Sequence, residues 1–125
     1  MEIITTIVLP KRKWDVQNFF KIGKRNALAI SVVNGVVALQ FDAEDTISDC
    51  RIALGAVAAT PIRVEKAENM LIGAKLDDQL IQRVAKCVTA EVSPISDIRA
   101  SAEYRAYMAG TCVKKQLQDF RRNRT

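Results

Sequence analysis

The stretch ISVVNGVVALQFDAEDTISDCRIALGAVA, residues 30 to 58, decides how this chain folds. From Ile30 to Phe41 the residues are mostly β-branched or apolar, the mark of a strand. Alternation puts Val33, Val37, Leu39 and Phe41 on one face and Ile30, Val32, Val36 and Ala38 on the other. Both faces are apolar for much of the length, so this strand is expected at the centre of a sheet. Asp42-Ala43-Glu44-Asp45 supplies a polar turn, and Ile47 to Ala58 follows as a second strand, closed by Pro61. Its faces are Cys50, Ile52, Leu54 and Ala56 against Asp49, Arg51, Ala53 and Gly55. Two strands joined by a short polar turn make an antiparallel hairpin. The small residues Ala53, Gly55, Ala58 and Ala59 point to close approach by another element.

Working outward, Ile3 to Leu9 is β-branched and stops at Pro10, so it reads as a further strand. Lys11 to Gln17 is polar and reads as a loop, and Phe19 to Ile22 as a short strand or a turn ended by Gly23. Beyond Pro61 the period changes. Val64 to Leu71 reads as a short helix stopped near Gly73. Asp77 to Val92 is a clearer one, with Ile81, Val84, Ala85, Val88 and Val92 on one face, acids at its start, and Pro94 beyond its end. A last helix is expected from about Ser101, its N-cap, to about Phe120. Its buried stripe would use Tyr104, Met108 and Cys112, widening to Ala109, Val113, Leu117 and Phe120. Strands first and helices after is the order of an α+β domain, a small antiparallel sheet with about three helices packed on one face.

Composition narrows the chemistry. At 125 residues the chain reads as a single domain, residues 1 to 125, able to bury an ordinary core. It contains no histidine, which removes the commonest general base and most zinc sites. Its five glycines are far apart, so there is no Gly-rich phosphate loop. Cys50, Cys87 and Cys112 have no metal or redox spacing and read as small core residues in a reducing, cytoplasmic compartment. The net charge of +5 is split between Lys11-Arg12-Lys13 and the tail arginines Arg121, Arg122 and Arg124, with no aromatic residues interleaved. That pattern argues against a nucleic-acid role. The apolar stretch from Ala27 to Leu39 is too short and too β-branched for a membrane span.

Three segments carry more than periodicity does. They are IVLP with FFKIGKRNALAISVV, in which Lys21 follows Pro10 by eleven residues; ISDCRIALGAVAATPIRVEKAENMLIG; and PISDIRASAEYRAYM. In this order, and over nearly the whole chain, they resemble the C-terminal domain of the FAD-binding subunit of molybdenum hydroxylases, the xanthine dehydrogenase and carbon monoxide dehydrogenase flavoprotein family. The resemblance implies an accessory domain that completes a flavin site and subunit contacts. In such enzymes electrons pass from molybdenum through iron–sulfur centres and FAD to an acceptor. It implies FAD as a cofactor held chiefly by an upstream FAD-binding domain that this chain does not contain, so the chain alone is not expected to bind it. Implied partners are that domain and the molybdenum and iron–sulfur subunits, with no nucleic acid and no membrane; a homo-oligomer is left open. No catalytic and no metal residue is implied, so the domain belongs to an oxidoreductase without being catalytic when isolated.

Two positions carry over from the family as flavin contacts. A lysine matching Lys21 and an apolar residue matching Ile4, six before Pro10, lie against the flavin in xanthine dehydrogenases. From the residues alone, Lys21 is a solvated lysine beside a turn and Ile4 is strand core. Many relatives have an acid four places after the residue matching Arg25; here that place is Ala29. Asp97, Arg99, Tyr104 and Arg105 also match and read as structural, with Asp97 capping backbone N–H groups or pairing with Arg105. The alternative to a redox role is a stand-alone protein-binding module without cofactor.

Overall fold

The computed structural model describes residues 2–26 and 28–124. Four strands, β1 (Val16–Gly23), β2 (Ser31–Phe41), β3 (Ile47–Gly55) and β4 (Ile62–Arg63), precede three helices, α1 (Glu65–Leu71), α2 (Asp78–Glu91) and α3 (Ala102–Arg124). The strands pair antiparallel in chain order, β1-β2-β3-β4. The doubly apolar strand is interior, as its pattern requires.

Register places Phe20 opposite Gly35 and Gly35 opposite Leu54. A Cβ on Gly35 would lie 2.6 Å from Leu54 Cδ2, 2.7 Å from the Ala53 carbonyl and 2.9 Å from Phe20 Cζ. The missing side chain is therefore the space that its two neighbours fill. Val33, Val37, Leu39, Cys50, Ile52 and Leu54 turn toward the helices and are buried. They meet Leu80, Ile81, Val84 and Val88 of α2 and Ala109, Val113 and Leu117 of α3 in one core. Each large aliphatic side chain buried there contributes about 1.5–3 kcal/mol.

The far side of β3 is closed by economy of backbone. β4 pairs with it at only two positions. Beyond them the Ile52 N–H donates to the buried Glu68 carboxylate of α1 at 2.8 Å, and Arg63 Nε donates to the same oxygen at 3.1 Å. Near its start, Ile47 exchanges hydrogen bonds with Gly73 and Ala74. A side chain and a turn thus satisfy an edge that would otherwise be open to pairing. The α2 N-terminus is capped by Asp77, whose Oδ1 accepts from the Leu80 N–H at 2.7 Å. Ser101 does the same for α3, accepting from the Tyr104 N–H at 3.1 Å.

Four expectations change. Ile3 to Leu9 is not a strand: no strand is assigned there, and Ile3, Ile4, Ile7, Val8 and Leu9 are 74–84% exposed. β-branching favours an extended backbone, but a strand exists only with a neighbour for its N–H and C=O groups, and the described residues supply none. β1 is a full strand that begins at Val16, inside the expected loop. β3 ends at Gly55, because Ala56 turns into the left-handed region at φ 63°. On α3 the buried stripe uses Arg105 in place of Tyr104, which is 47% exposed, and the helix continues to Arg124. No described helix is long and apolar enough to cross a membrane. Ala27, at the start of the apolar stretch, lies outside the described residues.

Candidate functional site

Alternation along β1 sends Phe20 and Ile22 toward the helices and Lys21 to the opposite, open face, where it sits across from Asn34. After Gly23 the chain folds back on itself, with Leu28 at φ 54° and the Arg25 guanidinium donating to the Leu28 carbonyl at 3.0 Å. The hollow between strand end and return is a cleft of about 400 Å³, lined by Lys21, Ile22, Gly23, Arg25, Asn26, Leu28 and Ala29. Two of these residues are cations and none is an acid. Ala29, where the family resemblance leads to the expectation of an acid, is thus inside the cleft and offers only a methyl group.

The cleft is anchored from below. Lys24 Nζ donates to the Ile98 carbonyl at 2.7 Å, which ties the β1–β2 connection to the segment before α3. That segment is fixed by Arg105, 3% exposed. One Arg105 Nη donates to the Val32 carbonyl at 2.7 Å and the Ala56 carbonyl at 3.3 Å, and the other to Asp97 Oδ1 at 2.7 Å. Asp97 also accepts from the Arg99 N–H at 2.8 Å and the Ala100 N–H at 3.3 Å. The Arg99 N–H, with the Arg105 guanidinium beside it, holds the Asp97 carboxyl down at about 2, against an opposing cost of desolvation. Both roles expected for Asp97, cap and ion-pair partner, are present together.

Ile4 is exposed and does not line the cleft, so within this chain the two sequence-derived positions are not brought together. The cleft's other cation, Arg25, was not singled out by the sequence, although its place four residues before the family departure at Ala29 is the signal that marks it. Around the connection, Leu28, Ile30, Ile95 and Ile98 are 67–94% exposed, an apolar rim at one end of the domain.

Burial raises all three cysteine thiols above their ordinary value. Cys50 is buried, and burial first, then the Glu68 charge, pushes its thiol up to about 12. Among the described residues no cluster of acids and cysteines could hold a metal ion. The basic runs are largely neutralised: Arg12 pairs with Asp49 and lies 4.4 Å over Trp14, Arg121 pairs with Asp78, and Arg124 pairs with Asp45. As a receptor for FAD, the donor set fits in part. Two cations and strand-end backbone suit the anionic edge of a flavin ring, but a cleft of about 400 Å³ without a phosphate loop does not suit a whole dinucleotide.

The chain's likenesses run the same way. Residues 18–120 match the model of the CO dehydrogenase flavoprotein C-terminal domain. The xanthine dehydrogenase FAD-binding subunit of Escherichia coli O157:H7 is 33% identical over 100 residues, which is 80% of this chain and 34% of that protein. The carbon monoxide dehydrogenase medium chain of Hydrogenophaga pseudoflava is 34% identical over 83 residues, 66% of this chain and 29% of that one. A solved structure of carbon monoxide dehydrogenase from Hydrogenophaga pseudoflava superposes with a TM-score of 0.75 at 32% identity, covering 82% of this chain and 35% of its own. The chain thus spans about a third of the length of these relatives. With the antiparallel sheet, the helical layer and the ordered motifs all in agreement, this chain belongs to the CO dehydrogenase flavoprotein C-terminal domain family.

Proposed function

We propose that this chain is one wall of a flavin site in a cytoplasmic molybdenum hydroxylase. An upstream domain holds most of the FAD, and this domain closes over its ring edge and docks the flavoprotein to the molybdenum and iron–sulfur subunits. The single observation that carries the reading is the acid-free, two-cation cleft around Lys21. When bound, FAD supplies the stepwise electron chemistry. The chain's contribution is electrostatic: an ammonium near the edge where negative charge accumulates on reduction favours the reduced form. Arg105 and Lys24 contribute by holding the cleft's two ends in register. Residues 1–125 act as one domain in this reading. The exposed apolar segment from Ile3 to Leu9 gains its missing strand neighbour, or an apolar wall, from the flavin-holding domain, and Ile4 reaches the flavin there.

The test is the composition of the particle purified through a tag on this chain from its own cells. The expected result is FAD, molybdenum and iron in one complex, each near stoichiometric with the chain. A particle that carries the chain but no FAD and no molybdenum contradicts the proposal and favours a cofactor-free binding module.

A further inference from the structure

α2 and α3 run antiparallel, with Arg121 near the end of one beside Asp78 at the start of the other. They pack closely at Gly110, where an added Cβ would lie 2.2 Å from Thr89 Oγ1 and 2.6 Å from the Ala85 carbonyl oxygen. Their outer faces, turned away from the sheet, enclose an open, mainly apolar groove of about 420 Å³. Lys86 of α2 and Lys114 of α3 line it from opposite banks, Tyr107 lies toward one end, and no acid lines it.

The charges give the groove a preference. Of the acids of these two helices, Asp78, Glu91 and Asp119 are engaged by Arg121, Lys66 and Lys115, and Glu103, exposed in the first turn of α3, does not line the groove. Lys86 and Lys114 have no ion-pair partner among the described residues. The site is therefore a floor of small side chains between two uncompensated ammonium groups. Three occupants fit it poorly. A small molecule would lie largely in solvent, whereas ligand sites enclose about 70–90% of their ligand. A second copy docked symmetrically through this face would set lysines against lysines. Two cations fall short of the polybasic cluster needed to hold an anionic bilayer.

We propose that the α2–α3 groove receives an acidic amphipathic helix of a different polypeptide. Its apolar stripe lies on the floor between Ala85 and Gly110, and its carboxylates flank that stripe to meet Lys86 on one side and Lys114 on the other. This is helix-in-groove recognition, with the apolar contact giving affinity and the paired charges fixing register. The inference does not depend on the flavin reading, since the groove lies on the helical layer and the Lys21 cleft at the opposite, strand face.

The test uses the tagged full chain expressed in its own cells and treated with a water-soluble carbodiimide, which joins an amine to a carboxylate in direct contact. Mass spectrometry of the linked peptides is expected to place Lys86 and Lys114 on Asp or Glu residues of one other chain, within a single segment of helical apolar spacing. Lys86→Glu with Lys114→Glu is expected to lower recovery of that chain about tenfold, and exchanging the linked acids for lysine is expected to restore it. Lys75→Glu, an exposed charge outside the groove, is expected to leave recovery unchanged. Links to a second copy of this chain alone, no links from either lysine, or full recovery with the double reversal would each overturn the proposal. Matching circular dichroism spectra for the variants establish that any loss is not unfolding.

Discussion

Arg105 holds the segment before α3 to which the connection around the candidate cleft is tied. Its guanidinium is buried, and the groups it holds, two backbone carbonyls and Asp97, come from three separate stretches of chain. Ala56, whose carbonyl it holds, adopts a left-handed φ of 63°, a conformation that is strained for a residue with a side chain. Arg105→Leu is expected to destabilise the domain by about 3 kcal/mol, the lower end for breaking a buried pair because Asp97 keeps some contact with water. Urea denaturation checks this, and a loss under 1 kcal/mol would remove the clamp from the account. Arg105→Lys should recover only part, since an ammonium lacks the fork that spans Val32 and Asp97. The partner residue gives a pH signature. The folded Asp97 carboxyl sits at about 2, against about 3.9 for an unfolded aspartate. A depressed value means that the charged form stabilises the fold. The contribution is therefore complete above about pH 4 and is lost as pH falls toward 2. Asp97→Asn is expected to be less stable than the parent at pH 6 and to converge with it between pH 4 and 2; a constant gap across that range would contradict the assignment.

Among the elements, the central hairpin and α2 were legible in the sequence because each has one unambiguous period. A strand apolar on both faces belongs between neighbours, and β2 is there. β1 was half hidden. It is an edge strand with Gln17, Asn18, Phe19 and Lys21 exposed, so only Phe20 and its flanks carried a burial signal. Ile3 to Leu9 misled in the opposite direction, because β-propensity reports fit to a sheet and not the presence of one. The stripe of α3 was read from Tyr104, yet stepping back four residues from Ala109 gives Arg105. The charge masked it, as charged residues are rarely buried without a partner that only the fold reveals. Lys21 was singled out by the family pattern alone, and the cleft that it lines depends on a loop geometry that no periodicity encodes. At this scale Gly35 offers the clearest test. Gly35→Ala is expected to cost about 1–3 kcal/mol, because the Ala53 carbonyl at 2.7 Å is backbone and cannot swing aside. Thermal and urea unfolding measure it. A neutral result would mean that β1, β2 and β3 are not held in the register described.

The whole molecule has two unlike sides. The helical layer buries its apolar stripes against the sheet, while the strand end around Lys21 leaves large side chains in water: Leu28, Ile30, Ile95 and Ile98, with Phe19 60% exposed on the open sheet face. Isolated exposed aliphatics are ordinary, but a group of them beside an acid-free cationic cleft marks a surface shaped for contact. In the assembled enzyme the cleft should act through its charge. Ala29→Glu would place a carboxylate inside it and is expected to offset Lys21, shifting the flavin toward its oxidised form. The most direct measurement is the midpoint potential of the enzyme-bound FAD, read by anaerobic redox titration in the complex carrying Lys21 and in the complex carrying Lys21→Ala. A potential lower by about 30 mV or more in the variant, a tenfold loss of preference for the two-electron reduced flavin, is the expected result. Equal potentials at equal FAD occupancy would contradict the claim that this domain's lysine faces the flavin.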